Sequence, residues 1–263
     1  MSARAWAFQQ GILWAMDFGC AQEFAQSSVE DRQPADSGPL PSADSAEGIA
    51  RSAVAQTSKS RLPARFDEVG PDALAHLARA MDVRAPATES RGPSAVARRF
   101  DAGRRCFAGR LDDEIVTYGW LSQGHESVGE LERDYHLQPG EAYIWDCATL
   151  PAHRGSGLYG ALLSHIIQTL RAEGIQRAWI GANLENEPSL RAFARAGFQP
   201  VVKVAYARLL RLRCLRLLAQ PAAPAALVDR ARGMLTEPYE RAWRTLIVGV
   251  RPSDSAPEWK AAT

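Results

Sequence analysis

The feature that most constrains the fold is a glycine-rich turn that joins a strand-like segment to an amphipathic helix. Residues 142–150 form a largely apolar run that Pro151 ends, and Gly155 and Gly157 follow within a few residues. Apolar residues spaced three or four apart then trace one helical face, namely Leu158, Ala161, Leu162, Ile166 and Leu170. A strand, a tight turn and a helix in immediate succession are typical of a sheet with helices packed on it.

The turn at residues 154–160 also has the chemistry of an anion-binding site. The first amides of a helix have no intrahelical acceptor, and the helix dipole places partial positive charge at the same end. Glycines allow an anion to approach the main chain closely, and a pyrophosphate fits such a site. The residues assigned to it are Arg154, Gly155, Ser156, Gly157, Leu158, Tyr159 and Gly160.

Other segments of the chain alternate between the two-residue periodicity that is typical of strands and the periodicity of about 3.6 residues that is typical of helices. Strands are predicted at 65–69, 105–110, 115–122, 142–150 and 177–182, with two more within 198–218. Helices are predicted at 72–81, 93–100, 158–170 and 186–196. Helices interleaved with strands in this order predict an α/β fold with a mixed central sheet and helices on both faces.

The chain divides into three parts by composition. Between residues 25 and 65 no aromatic residue occurs, and Ser, Ala, Pro, Gly and Asp dominate, so residues 1–63 are predicted to be a disordered N-terminal extension. Regular apolar spacing begins after Pro63 and defines a domain at residues 64–218. Residues 219–263 are interpreted as a linker, a possible helix and a C-terminal tail.

Charge and cysteine content exclude some classes of function. A net charge of +1 gives no field that would draw the whole molecule to nucleic acid, so no nucleic-acid partner is expected. A local basic run, Lys203 to Arg216, is interpreted as a solvated face, with recognition of an anionic group as the alternative. No run of about 20 apolar residues predicts a membrane span. The four cysteines lack zinc spacing, which indicates a cytoplasmic protein without a metal.

The turn and two neighbouring blocks resemble the GNAT superfamily of acyl-CoA-dependent N-acyltransferases. Arg154, Gly157 and Tyr159 stand where the family has Arg or Gln, then Gly, then a small residue, and Gly160 follows at once. Residues 186–198 are similar to the second family motif, which runs from an Asn to a Gly-Phe pair. The segment that ends at Pro151 is similar to the central strand of the family.

The resemblance implies acetyl-CoA as co-substrate and no metal, because the thioester is already activated. It implies that the strand ending at Thr149 splays away from the strand at Trp179, and that the pantetheine arm pairs with the backbone of Ala148, Thr149 and Leu150. Asn186 would contact the cofactor arm, or else cap the following helix. Phe193 is also assigned to the cofactor site; it stands where many members have a Tyr that protonates the leaving thiolate, and it has no hydroxyl.

Acyl transfer to an amine requires a base for the ammonium proton. Asp146 is the first candidate, and Glu130 and Glu132 are its rivals. Alternatively, Asp146 is a strand residue that fixes a bulge. The alternative for the two glutamates is a position on a solvated face, where most carboxylates lie. Because Phe193 cannot donate a proton, either Tyr159 or a water serves as the acid, or the step proceeds without one at a cost of about 100 to 10,000-fold in rate. Cys147 is interpreted as a packing residue and not as a nucleophile.

These residues predict an N-acetyltransferase that acts by direct attack of a primary amine of a small molecule on acetyl-CoA. One alternative is transfer of a longer acyl group, and another is a non-catalytic module that senses acyl-CoA. The acceptor pocket is expected among the early helices, within residues 72–100, where no chemistry identifies the acceptor. The oligomeric state does not follow from the sequence.

Overall fold

The computed structural model of the chain describes residues 6–18, 64–82, 92–128, 133–209, 212–236 and 245–248. These residues contain a nine-stranded sheet and a separate two-stranded hairpin. The strands of the large sheet are β1 (Trp6–Asp17), β2 (Arg65–Val69), β3 (Arg105–Leu111), β4 (Glu114–Ser122), β7 (Glu141–Thr149), β8 (Arg177–Asn183), β9 (Gln199–Leu209), β10 (Leu212–Ala219) and β11 (Thr245–Val248). The hairpin consists of β5 (His125–Val128) and β6 (Arg133–His136).

The spatial order of the large sheet is β11-β10-β9-β1-β8-β7-β4-β3-β2. Strands β7 and β8 are parallel, as are β10 and β11. The other neighbours are antiparallel. The sheet is therefore mixed, which confirms the predicted fold class.

Helices cover both faces of the sheet. They are α1 (Leu74–Asp82), α2 (Pro93–Asp101), α3 (Leu158–Ala172), α4 (Glu187–Ala196) and α5 (Ala225–Thr236). Along β1, Leu13 and Ala15 join the core beneath α5, whereas Ile12 and Trp14 join the core beneath α3 and α4. Because successive side chains of a strand point to opposite faces, α5 lies on the face opposite α3 and α4.

The pair α1 and α2 lies on the same face as α5. Cys106 of β3 packs with α1 and α2, and its neighbour Phe107 packs with α3 on the other side. A helix pair therefore covers one half of this face and α5 covers the other half. The β5–β6 hairpin contributes Tyr135 to the core under α5.

The prediction of disorder for residues 1–63 is wrong for Trp6–Asp17. This segment forms β1, which pairs antiparallel with both β8 and β9 in the interior of the sheet. Its residues 12–16 are all buried because both faces of the strand are covered. A doubly covered strand shows no polar alternation, so its apolar run carried no strand signature. Residues 19–63 lie outside the described part of the chain.

The folded unit also continues beyond residue 218, where the domain predicted from the sequence ends. Helix α5 buries Leu227, Ala231 and Met234 against the sheet, and β11 extends the sheet past β10. The possible helix in the tail is therefore present, but as a core element. Residues 249–263 lie outside the described ranges.

Candidate functional site at the splayed strands

The parallel pairing between β7 and β8 is short. It runs from Glu141 opposite Arg177 to Ile144 opposite Ile180. Beyond that point β7 continues along β4, with Thr149 opposite Thr117, and β8 continues along β1. A cleft therefore opens between the two strands after Ile180, the residue that follows Trp179, close to where the resemblance implied a splay.

Main-chain groups of β7 line one side of this cleft. The amide of Leu150 donates to the carbonyl of Val116 in β4 at 2.9 Å. Because main-chain groups alternate in direction along an antiparallel strand, Ala148 and Leu150 face β4 and Thr149 faces the cleft. Of the three residues predicted to pair with a pantetheine arm, Thr149 is thus the one whose main-chain amide and carbonyl face the cleft.

Buried Thr117 fixes the end of β7. Its hydroxyl donates to the carbonyl of Ala148 at 2.9 Å and lies 3.0 Å from the hydroxyl of Thr149. On the other side, Arg154 Nε donates to the Thr149 carbonyl at 3.4 Å. The strand end and the turn that follows it are therefore joined by hydrogen bonds.

The glycine-rich turn opens α3 in the manner of an anion site. A short 3-10 turn at Pro151–His153 is followed by Gly155 and Gly157, with φ values of 72° and 82°. Gly157 caps α3 without a side-chain hydrogen bond, and the amide of Ala161 makes the first bond into the helix, to the Gly157 carbonyl at 3.1 Å. The amides of residues 158–160 come before that bond and have no intrahelical acceptor.

The space around this turn suits an anionic ligand. A Cβ added at Gly155, Gly157 or Gly160 would meet no protein atom within 4 Å. Arg154 is exposed beside the turn, whereas Ser156 turns its hydroxyl to the His153 carbonyl. Unpaired main-chain N–H groups and an adjacent guanidinium are the donors that a diphosphate requires, and the open space gives it access to them. The residues present therefore fit the diphosphate of CoA.

The second motif contributes a cap and a core residue. Asn186 accepts the amide of Ser189 through its side chain at 3.4 Å and so caps α4, which Gly197 ends at a φ of 95°. Phe193 is 1% exposed and packs its ring against Trp14 and Phe198, at centroid distances of 6.0 and 6.3 Å. The contacts described for Phe193 are those of a core residue, and a contact with the cofactor arm stays a prediction.

A β-bulge lies where the cleft begins. Trp145 pairs with Trp120 and Ala148 with Tyr118, so Asp146 and Cys147 together oppose Gly119. Asp146 adopts a φ of 41°, a left-handed conformation that Asp tolerates better than most residues. A Cβ at Gly119 would lie 2.7 Å from the Cys147 sulfur, so the bulge requires glycine at this position.

The carboxylate of Asp146 is held on the α2 side of the bulge. Arg99 Nη1 donates to Asp146 Oδ2 at 2.7 Å, and the Asp146 side chain is 13% exposed. The Arg99 guanidinium lies 4.9 Å from the ring centre of Trp120 and 4.6 Å from that of Trp145. These contacts support the role of a bulge-fixing residue and do not test that of a base. Glu130 and Glu132 lie outside the described residues.

A groove of about 300 Å³ adjoins the bulge on the α2 side. Trp145, the first residue of β7 beyond the parallel pairing, forms part of its wall. The other lining residues come from α2, from the segment before β3 and from β5; they are Ala95, Arg98, Arg99, Arg104, Glu126 and Ser127. Residues 72–100 were expected to supply the acceptor pocket, and Ala95, Arg98 and Arg99 lie within that stretch.

The carboxylate of this groove is internally satisfied. Glu126 is 2% exposed and accepts Arg104 Nε at 2.6 Å and Arg104 Nη2 at 2.9 Å. It also accepts the amide of Ser127 and the hydroxyl of Ser122, which in turn accepts the indole N–H of Trp145. This network could not be predicted from the sequence, because Glu126 and Arg104 are 22 positions apart and belong to no motif.

A larger groove of about 560 Å³ lies beside α1. Asp82, Asp112, Asp113 and Glu114 line it together with His76, Arg79 and the end of β7 at Leu150. Its wall therefore carries four carboxylates, in contrast to the arginine-lined groove beside Trp145. The two grooves differ in the sign of the charge that they present.

The cysteines near the cleft have the character of packing residues. Burial raises the pKa of the Cys106 thiol well above its ordinary value, which keeps it protonated and unreactive. Cys147 is half-buried and packs against the core under α3. Its thiol donates to the Trp145 carbonyl at 3.5 Å. This placement agrees with the packing role predicted for Cys147.

Within the described ranges, no group of three or more His, Cys, Asp and Glu residues could hold a metal ion. No helix that the structure describes is long and apolar enough to cross a membrane.

The part of the chain that contains the site is similar to known proteins. The family described as Acetyltransferase (GNAT) family matches residues 74–198, which include the glycine-rich turn, α3 and α4. An uncharacterized N-acetyltransferase of Mycobacterium bovis is 29% identical over 99 residues, which is 38% of this chain and 55% of that protein. The chain thus spans about half the length of the curated relative that it matches.

Two solved structures are also similar, at low identity. An acetyltransferase from the GNAT family of Colwellia psychrerythraea is 10% identical, covers 76% of this chain and 56% of its own, and gives a TM-score of 0.46. A GNAT family acetyltransferase of Brucella melitensis, solved in complex with acetyl-CoA, is 17% identical, covers 53% of this chain and 87% of its own, and gives a TM-score of 0.40.

Proposed function

We propose that the chain is an acetyltransferase of the GNAT family, whose model matches residues 74–198, and that it transfers an acetyl group from acetyl-CoA to a primary amine of a small molecule. One observation carries the proposal. A glycine-capped helix start stands at the open end of a cleft between two splayed parallel strands. That arrangement offers one place for a diphosphate and, further in, another for the thioester.

The glycine-rich turn is assigned to the diphosphate. Its amides at residues 158–160 lack intrahelical acceptors, and Arg154 adds a guanidinium at the surface. From there the pantetheine arm would follow β7 and pair with the main chain of Thr149. This path places the thioester near the inner end of the cleft, beside Trp145 and Asp146. Asn186, at the start of α4, would contact the arm in addition to its cap.

The chemical step is direct aminolysis of the thioester. The lone pair of the neutral amine attacks the carbonyl carbon, a C–N bond forms and the C–S bond breaks. The ammonium proton passes to a base, and the thiolate leaves and takes up a proton, so the products are an N-acetyl amide and CoA. Main-chain N–H groups beside the cleft would stabilise the oxyanion that forms on the way.

Asp146 is proposed as the base, directly or through a water, because it is the described carboxylate at the inner end of the cleft. Glu130 and Glu132 remain rival candidates. No hydroxyl is available at Phe193 to protonate the thiolate, so Tyr159, in the first turn of α3, or a water takes that role. The M. bovis relative is named an N-acetyltransferase, which supports nitrogen as the acceptor atom.

A cytoplasmic location is proposed on the state of the cysteines. Cys106, Cys147 and Cys214 are free thiols in the part of the chain that the structure describes. Free thiols persist in a reducing compartment.

Two measurements test the proposal. Calorimetric titration with acetyl-CoA should give saturable heat, and a thiol-detecting assay with a panel of primary amines should show release of CoA. Binding of acetyl-CoA without release of CoA in the presence of any amine would favour the alternative of a non-catalytic module that senses acyl-CoA. Release from a longer acyl-CoA in preference to acetyl-CoA would favour the long-chain alternative. The absence of both binding heat and CoA release at millimolar acetyl-CoA would refute the proposed function.

A further inference from the structure

The groove beside Trp145 presents an excess of positive charge. Three guanidinium groups line it, from Arg98, Arg99 and Arg104, against the single carboxylate of Glu126. That carboxylate is buried and already accepts Arg104, a hydroxyl and an amide. It therefore offers little to an incoming ammonium group. Arg98, in contrast, is exposed and can be reached by a ligand in the groove.

The remaining donors of the groove point to an anionic ligand. Arg99 uses Nη1 for Asp146, and Arg104 uses Nε and Nη2 for Glu126. A guanidinium has five N–H donors, so each of these arginines keeps donors beyond those bonds. The Arg99 guanidinium also lies over the rings of both Trp120 and Trp145, and these contacts hold it in place. Planar guanidinium groups are suited to carboxylate and phosphate oxygens.

The position of the groove decides which part of the reaction it serves. Its wall contains Trp145, directly after the last residue of the parallel β7–β8 pairing, where the thioester is proposed to lie. The acidic groove reaches β7 only at Leu150, which is next to the turn that is assigned to the diphosphate. The arginine-lined groove is thus the one beside the reacting carbonyl.

We infer that the acceptor is a small primary amine that also carries a carboxylate or a phosphate group. This inference rests on the proposed function and specifies the acceptor of the same site. The anionic group binds Arg98 and the remaining donors of Arg104, and the amine end points toward Asp146 and the inner end of the cleft. An amine without an anionic group would meet only the positive charge that remains after Asp146 offsets Arg99 and Glu126 offsets Arg104.

The reaction changes the charge of such an acceptor in a defined way. The ammonium loses one proton to the base before attack, and the nitrogen loses a second as the C–N bond forms and the C–S bond breaks. One of these two protons ends on the departing thiolate and the other is released to solvent. An amino acid, neutral overall as a zwitterion, becomes an N-acetyl acid with a net negative charge. The product keeps its attraction to the arginines but loses its ammonium, and no additional reactant is needed.

Matched pairs of acceptors test the inference. The first pair is an amino acid and the amine formed by its decarboxylation, and the second is an aminoalkyl phosphate and the corresponding amino alcohol. A polyamine serves as the cationic extreme. In each productive pair the anionic member should have a kcat/KM about tenfold or more above its partner, equivalent to one charge-assisted hydrogen bond. The pair with the larger ratio distinguishes carboxylate from phosphate.

Two variants localise the preference. Arg98→Gln should reduce the ratio of anionic to uncharged kcat/KM about tenfold, mainly through KM for the anionic member, while Arg98→Lys keeps part of it. Arg98 is exposed, so neither change is expected to unfold the chain. Arg79→Gln is the matched control, because Arg79 is an exposed arginine that lines the acidic groove. That control should leave the ratio unchanged.

The outcomes separate this inference from the proposed function. Equal or better use of the uncharged amines or of the polyamine, with CoA released, would overturn the inference and leave the proposed function intact. So would a ratio that Arg98→Gln does not change. If no amine releases CoA, calorimetry of the anionic amines against CoA-saturated protein decides the matter. Heat that Arg98→Gln abolishes would support the groove as an anion site, and no heat would overturn it.

Discussion

At the scale of single residues, two positions connect backbone conformation to the proposed chemistry. Asp146 occupies a left-handed conformation in the bulge and pairs with Arg99 at the mouth of the arginine-lined groove. Gly160 lies in the first turn of α3, where its missing side chain leaves open space over the helix start. Each position allows a substitution that separates a structural role from a functional one.

Asp146→Asn tests the proposed base. Asparagine tolerates a positive φ and keeps one oxygen for Arg99, so the bulge should persist. If Asp146 accepts the ammonium proton, kcat should fall about 100-fold or more, with the dissociation constant for acetyl-CoA unchanged. The measurement is a pre-steady-state rate with thermal unfolding recorded in parallel. A lower Tm with an unchanged kcat would assign Asp146 to the bulge alone.

Gly160→Ala should raise stability and weaken cofactor binding. Alanine is favoured over glycine inside a helix by up to about 1 kcal/mol, and its Cβ meets no protein atom within 4 Å. The same Cβ would occupy space that the diphosphate is proposed to use, so the affinity for acetyl-CoA should fall while Tm rises. Ala161→Gly, at an exposed position of the same helix, is the control that lowers Tm and leaves affinity unchanged.

At the scale of elements, β1 decides how the two halves of the sheet are joined. It pairs with β8, which forms one wall of the cleft, and with β9, which leads to β10. Its Trp14 also packs on Phe193 of α4. The wall of the cleft that β8 forms is therefore held in place by a strand that precedes the matched residues 74–198 in the chain.

Leu13→Ala measures how much the fold depends on β1. Leu13 is 2% exposed beneath α5, so the substitution should cost about 3 kcal/mol of unfolding free energy through lost burial and a cavity. Leu162→Ala in α3 should cost a similar amount, whereas Gln10→Ala, at an exposed position of β1, should change it by less than about 0.5 kcal/mol. Chemical denaturation gives these values. A cost for Leu13→Ala no larger than that for Gln10→Ala would mean that β1 is dispensable.

At the scale of the whole molecule, a buried carboxylate connects distant parts of the chain. Glu141, at the start of β7, accepts Arg230 of α5 through Nε at 3.0 Å and Arg177 of β8 at 3.2 Å. Arg177 also bonds Asp17 at the end of β1. One network therefore joins the N-terminal strand, the parallel pair next to the cleft and the C-terminal helix.

The Glu141 network should make stability depend on pH. Burial opposes ionisation, but hydrogen bonds from Arg230 prevail, so the pKa of Glu141 lies below its ordinary value of 4.5. A lowered pKa in the folded state means that the stabilisation is complete above about pH 4.5 and is lost as the pH falls through the folded value. Glu141→Gln should therefore cost about 3 kcal/mol near neutral pH and progressively less in acid.

Unfolding curves from pH 7 to pH 3 check this dependence. Glu114→Gln, at an exposed position of the β3–β4 hairpin, is the control and should follow the wild type throughout. A difference between wild type and Glu141→Gln that stays constant over this pH range would contradict the assignment.

The sequence determined the elements whose signals are local. Periodicity located α1 to α4, Gly155 and Gly157 marked a turn that needs positive φ, and residues 154–160 and 186–198 carried the resemblance to the family whose model matches residues 74–198. These features were readable because each depends on residues within a few positions of one another.

Tertiary structure alone decided the rest, because the partners involved are distant in the sequence. Strand β1 is a strand only between β8 and β9, since burial on both faces removes the polar alternation that marks a strand. Arg104 and Glu126 meet across 22 positions, and Arg99 and Asp146 across 47. No periodicity encodes such pairs, so the charge of the groove beside the cleft exists only in the folded chain.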